Sequence, residues 1–137
     1  MAMEQRLHFS DALSEDDLRQ AWTWIAGSYW AKDLDWERFR RAAEHSVVIG
    51  AFVGDRLVGF ARVMTDYSRS ARLSDVYVAE TARGGGVAAG LVACALDHPK
   101  LRDVPSWTLA TRDAHGLYER FGFRTLDDPS YTMQLNR

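Results

Sequence analysis

The residues from Leu73 to Ala95 read LSDVYVAETARGGGVAAGLVACA, and they restrict the fold more than any other stretch of the chain. Leu73 to Val78 is β-branched and aromatic, which predicts a strand. Val87 to Leu96 is rich in Ala, Leu and Val, which predicts a helix. Between them stand Arg83 and the consecutive glycines Gly84, Gly85 and Gly86. Glycine reaches backbone conformations closed to other residues, and without a side chain it leaves its N–H group open to a ligand. At a helix N-terminus such amides face outward, and the partial positive end of the peptide dipoles favours a phosphate. Strand, glycine turn and helix together predict a pyrophosphate seat.

Spacing separates the folds that build such a seat. A P-loop needs Lys and then Ser or Thr after its last glycine, and Val87 and Ala88 stand there instead. Gly84, Gly86 and Ala89 do satisfy G-x-G-x-x-A, the dinucleotide fingerprint. That fingerprint wants an acidic residue closing the next strand about 20 residues on. Only Asp103 is offered, in a stretch that reads as a loop, and the segments before Leu73 read as antiparallel hairpins.

A third pattern fits both ends of the chain. Arg83-Gly84-Gly85-Gly86-Val87-Ala88 matches R/Q-x-x-G-x-G/A, and Leu117-Tyr118-Glu119-Arg120-Phe121-Gly122-Phe123 is similar to LYEK-x-GF. In this order and at this separation the two motifs resemble those of the GCN5-related N-acetyltransferases (GNAT), and small stand-alone bacterial members most of all. The resemblance runs from the strand at Phe9 to Leu135 and implies one acetyltransferase domain over residues 1–137. The chain, at 137 residues with 47% hydrophobic and 26% charged, is long enough to close a core of its own.

Charge and composition narrow the partners. A net charge of -2 leaves no basic footprint for nucleic acid or an anionic membrane. The N-terminus MAMEQRLHFSD has no apolar signal core and no run approaches membrane-spanning length, so the expected location is cytoplasmic. Cys94, the single cysteine, lies in the apolar helix after the glycines and reads as a packed thiol. His8, His45, His98 and His115 show no metal-ligand spacing.

Taken in order, the chain predicts a strand over Leu7 to Phe9 and a helix capped by Ser14 with Asp17. Leu18, Ala21, Trp22 and Ile25 share one face of that helix and read as core. Tyr29 and Trp30 follow a glycine, and two amphipathic aromatics there suit either a plug for the core or the wall of a small-molecule cleft. A second helix, from about Asp35 to Glu44, turns Trp36, Phe39 and Ala43 inward. Val47 to Val53 and Leu57 to Thr65 form a hairpin across Gly54-Asp55, and Arg72 to Val78 returns antiparallel. In these strands Arg62 and Asp75 interrupt apolar runs and fall opposite or diagonal to one another, as an ion pair or with Asp75 as a carboxylate near an incoming amine. A strand over Ser106 to Ala110, a short helix capped by Asp113 or Thr111 and ended by Gly122, and two last strands near Arg124 to Leu126 and Tyr131 to Leu135 complete the reading.

The resemblance implies an α/β (α+β) fold with a mixed, mostly antiparallel sheet flanked by helices. The strand ending at Val78 and the one ending near Ala110 would splay into a V that holds acetyl-CoA. Its pyrophosphate would meet the amides of Arg83, Gly84, Gly85, Gly86, Val87 and Ala88, and its pantetheine arm would lie along Val76, Tyr77 and Val78 like an added strand. Tyr118 takes the family's general-acid position, while the amine's proton could pass to Asp75, Asp66, Asp113 or a water relay. Thr111 stands where many relatives carry Asn to contact the pantetheine arm, and Gly85 stands where relatives often carry Lys or Arg. Tyr29, Trp30, Arg62, Asp66 and Tyr67 would shape the pocket for a small-molecule or peptide amine. Many relatives dimerise, and no residue decides for or against a homodimer. The second class of function is a catalytically silent domain that binds an acyl-CoA as a sensor or regulatory module.

Overall fold

A computed structural model describes residues 6–137. Five strands, β1 (Leu7–Ser10), β2 (Val47–Val53), β3 (Arg56–Thr65), β4 (Ser70–Val78) and β5 (Ser106–Thr108), lie side by side in chain order. The first four are antiparallel, and β5 alone runs parallel to β4. Helices α1 (Glu15–Ala26) and α2 (Trp36–Glu44) precede β2, α3 (Val87–Asp97) connects β4 to β5, and α4 (His115–Glu119) follows β5. Consecutive strands joined by a two-residue loop must be antiparallel neighbours, and Gly54 at φ 61° supplies the left-handed residue that the β2–β3 turn requires. The parallel return to β5 needs a crossover, which α3 provides.

Side-chain alternation divides the core between the two faces of the sheet. Ala21 and Ile25 of α1 and Phe39 and Ala43 of α2 cover one face with Phe52, Leu57 and Phe60. Val87, Leu91, Val92 and Ala95 of α3 cover the other with Val47, Ile49, Val63 and Leu73. Burying Leu91 and Val92 completely contributes roughly 1.5–3 kcal/mol each. Close approach of α3 depends on Gly90, where a Cβ would stand 2.2 Å from the ring of Phe9.

Local signals set most element ends. Ser14 and Asp17 form the expected reciprocal capping box on α1, and Asp35 caps α2 through the amide of Arg38. Gly122, at φ 96°, stops the helix after Glu119 as its C′ residue. Two differences from the sequence reading stand out. Strand β5 ends at Thr108 instead of Ala110, and the two last strands are not formed. Residues 124–137 are exposed throughout, with one 3-10 turn at Pro129–Tyr131, because no sheet edge is paired with them.

Candidate active site

The fork between β4 and β5 arises from unequal strand lengths. Their pairing covers Ser70, Ala71 and Arg72 against Ser106, Trp107 and Thr108, and β4 then runs on alone to Val78. On its other edge β4 stays paired to β3, with Phe60 opposite Tyr77 and Gly59 opposite Val78. The amide of Ala79 donates to Val58 at 2.9 Å. Backbone groups along an antiparallel strand alternate between its edges, so Tyr77 bonds toward β3 while Val76 and Val78 direct their N–H and C=O into the fork.

Arg83 occupies part of that edge. Its Nε donates to the carbonyl of Val78 at 2.9 Å, and its guanidinium lies 5.3 Å from the ring centroid of Tyr77. Tyr77 stacks in turn on Trp24 at 5.4 Å. This layering of a cation on two aromatics fixes the lip of the fork against α1. The sequence assigned Arg83 to the pyrophosphate seat but gave no sign of its contact with Val78.

Next along the chain, Gly84 and Gly86 adopt φ 85° and 82°, and no atom lies within 4 Å of where a side chain would stand at either. Both positions thus combine a backbone that favours glycine with open space above it. Gly86 caps α3, and the amide of Gly90 already bonds to its carbonyl, so the first amides of α3 face the turn. Val87 is buried under the sheet and fixes the helix start, while Ala88 is half-buried.

A second group forms one wall. Asp75 is 7% exposed; one carboxylate oxygen accepts from Arg62 Nε at 2.8 Å and the other from Trp30 Nε1 at 3.1 Å. Arg62 also donates to the hydroxyls of Ser46 and Ser74. A register shift of β3 between Ala61 and Val63 turns Arg62 toward these partners. Tyr29 packs edge-on to Trp30 at 5.2 Å, and Arg112, from the loop before α4, lies 4.0 Å over the Tyr29 ring. Arg112 thereby joins the β5 side of the fork to the α1 side, a long-range contact that no local pattern announces.

Two of the pocket residues expected from sequence lie elsewhere. Asp66 and Tyr67 belong to the β3–β4 turn, at the joined end of the fork. Asp66 Oδ1 accepts from the amides of Ser68, Arg69 and Ser70, and these bonds hold its carboxyl below the usual range. That turn puts Tyr67 at φ 63°, exposed and 6.0 Å from Lys100. Neither contacts Tyr29, Trp30 or Arg62 among the interactions described.

Tyr118 projects from α4 into the apolar cluster that contains Val76, Val78, Trp107 and Leu109, with Phe123 edge-on at 6.1 Å. Burial pushes its phenol up. It also lines a cavity of about 350 Å³ together with Thr108, Thr111, His115, Glu119, Phe123, Leu126 and Pro129. His115 and Glu119 were not singled out from sequence, although Glu119 belongs to the Tyr118 motif and His115 stands two residues before it. Neither the glycine turn nor β4 reaches this cavity. Thr111 Oγ1 accepts from the amide of Ala114 at 3.0 Å, but α4 opens at His115 with Ala114 as its N-cap and no side-chain cap, so neither Thr111 nor Asp113 caps it as the sequence suggested. Cys94 is half-buried, and burial with the nearby Asp97 carboxylate raises its thiol, which disfavours the reactive thiolate.

A parallel fork and a bare glycine turn capping the crossover helix, with a buried tyrosine on the helix after β5, fit one class: the chain belongs to the GNAT acetyltransferase family, whose model matches residues 10–123. A GNAT-family protein from Xanthomonas campestris pv. campestris is similar at 37% identity, with 96% of this chain and 94% of that one covered at a TM-score of 0.90. The fold is shared by a Clostridium acetobutylicum acetyltransferase solved with acetyl-CoA, at 19% identity, TM-score 0.70 and 96% coverage of both chains. It is shared too by a transcriptional regulator from Bacillus halodurans C-125, at 22% identity, TM-score 0.73 and coverage of 96% and 100%. No curated protein matches the chain. Among the described residues, no helix is long and apolar enough to cross a membrane, and no cluster of His, Cys, Asp or Glu could hold a metal ion.

Proposed function

We propose that the protein transfers the acetyl group of acetyl-CoA to a primary amine of a small molecule or peptide. The observation that carries this reading is the continuity of the open β4 edge at Val76 and Val78 with the bare turn at Gly84–Gly86. Acetyl-CoA would bring an activated acyl thioester on a long amide-bearing arm that ends in a diphosphate. An unpaired strand edge offers matching donors and acceptors to such an arm, and amides at a helix start suit the diphosphate. Open space above Gly84 and Gly86 leaves that approach clear. Arg83 lies within reach of the same turn, so its charge supports the fit.

The remaining chemistry belongs to the chain's own groups. Tyr29 and Trp30 would hold the amine beside the fork, and orienting two reactants in one cleft can lower a barrier by several kcal/mol. The Val78 N–H, directed into the fork, suits an acyl oxygen that gains negative charge. A phenol keeps its proton at neutral pH, burial raises the Tyr118 pKa further, and the group can give that proton to the departing thiolate. Both oxygens of Asp75 are engaged by Arg62 and Trp30, an arrangement that holds the Trp30 wall in place. Asp66 is committed to its turn, which leaves Asp113 or a water relay for the amine's proton. The raised thiol of Cys94 favours direct attack over an acyl-cysteine route.

A thiol-release assay with acetyl-CoA and a panel of amino acids, polyamines, aminoglycosides and peptides tests the proposal. Amine-dependent release of free coenzyme thiol is expected. Thermal stabilisation by acetyl-CoA without release from any amine would support the silent binding module instead. Neither stabilisation nor release would overturn both.

A further inference from the structure

The charges beside the fork differ in how far the protein itself uses them. Arg62 directs Nε to Asp75 at 2.8 Å and its two terminal nitrogens to the hydroxyls of Ser46 and Ser74 at 3.1 and 2.9 Å. Asp75 gives its other oxygen to Trp30 Nε1 at 3.1 Å. This nearly buried network is neutral as a whole, and its one carboxylate has both oxygens engaged. Arg112 is arranged differently. Its guanidinium lies 4.0 Å over the Tyr29 ring, and Tyr29 packs edge-on to Trp30 at 5.2 Å. A guanidinium stacked through its π face keeps its N–H groups in the plane, directed outward past the ring. Its ion-pair partner among the described residues is the neighbouring Asp113 at 3.5 Å, with both side chains exposed. Exposed pairs of this kind contribute little and yield to a better-placed anion.

Strand register adds a second cation on the same side. Ala61 and Val63 pack toward α3, so Arg62 and Met64 stand on the opposite face of β3. Arg72, the partner of Met64 and of Thr108, is exposed on that face. Together these groups select among amines. A polyamine or an aminoglycoside brings further positive charge, which needs a free carboxylate or a free aromatic face. Here Asp75 is already paired, and Arg112 covers a face of Tyr29. A carboxylate, by contrast, matches the in-plane donors of a guanidinium with two parallel hydrogen bonds. We propose that the acceptor is a primary amine with a carboxylate of its own, an amino acid or a similar aminocarboxylate, and that Arg112, stacked on Tyr29, holds this carboxylate. Arg112 then sets which amine is accepted and where it sits, with its amino group beside Trp30 and toward the fork. The assignment rests on the acetyl transfer proposed above.

Thiol release from acetyl-CoA with matched amines tests it: amino acids, their carboxamides and their decarboxylated counterparts, offered to the wild type, Arg112→Gln and Arg112→Lys. In the wild type, kcat/KM should be higher by roughly tenfold or more for the amino acid than for either matched compound. Arg112→Gln should raise KM for the amino acid by roughly tenfold, with a smaller effect on kcat, and bring the matched amines to within about threefold of one another. Arg112→Lys keeps the charge without the planar fork, so it should recover only part of the preference. Arg112 is exposed on a loop, and a far-ultraviolet circular dichroism spectrum checks that both variants fold; the wild-type preference is read without them. Equal or faster release from the decarboxylated amines would overturn the assignment and leave acetyl transfer standing, as would a preference that survives Arg112→Gln intact. Release from no amine at all would overturn the transferase reading and this assignment with it.

Discussion

Tyr118 sits where packing and the proposed proton transfer make opposite demands. Its ring serves the apolar cluster and Phe123, while in the proposed acid role its hydroxyl must keep a proton to give. Burial meets both demands, because removing a phenol from water penalises the phenolate. The sign follows: below its raised pKa the group is a competent acid, and activity that depends on it is lost only as pH rises past the ordinary tyrosine value of about 10. Tyr118→Phe is expected to lower kcat by roughly 10²-fold and to abolish this alkaline limb, with little change in KM for acetyl-CoA. Measured kcat against pH checks both, and wild-type turnover in the variant would assign Tyr118 to packing alone. The tyrosine was legible in its motif. Asp75 was legible only as a charge facing Arg62, since the Trp30 bond spans 45 residues and leaves no local trace.

Among the elements, β4, the glycine turn and α3 were read correctly because each is specified by its neighbours in sequence. A β-branched run, a residue type able to take positive φ and an Ala- and Leu-rich run agree with one another, and agreement across such levels is what local reading detects. The last two strands failed for the complementary reason. Tyr131–Leu135 has the period of a strand, but a strand also needs an edge, and after the capped turn at Pro129 this segment pairs with none. Gly86 lies on the legible side and yields a prediction for its element. Gly86→Asn tolerates a left-handed backbone better than any β-branched residue, so the fold should persist with a side chain placed over the amides. Acetyl-CoA at ~100 times its dissociation constant should stabilise the wild type by about 2.7 kcal/mol in thermal melts and leave the variant nearly unshifted. An equal shift in both would remove the glycine turn from the binding site.

At the scale of the whole molecule, the proposed function depends on a mismatch of strand lengths. Because β5 pairs with only the first residues of β4, the sheet opens beyond Arg72, and the crossover helix starts at the open end. A longer β5 would close the fork by pairing the groups of Val76 and Val78. Neither the early end of β5 nor the Arg112–Tyr29 contact across the opening is written in any one segment, so the cleft was foreseen from a family likeness and Tyr29 and Trp30 were named for its wall, while the bridge from Arg112 was not. The most direct test is a crystal structure of the protein soaked with acetyl-CoA. The diphosphate is expected on the amides of Gly84 to Ala88, the arm bonded to Val76 and Val78 with Arg83 displaced from the Val78 carbonyl, and the sulfur near the Tyr118 hydroxyl. Density for the ligand away from the fork, with Arg83 still bonded to Val78, would contradict it.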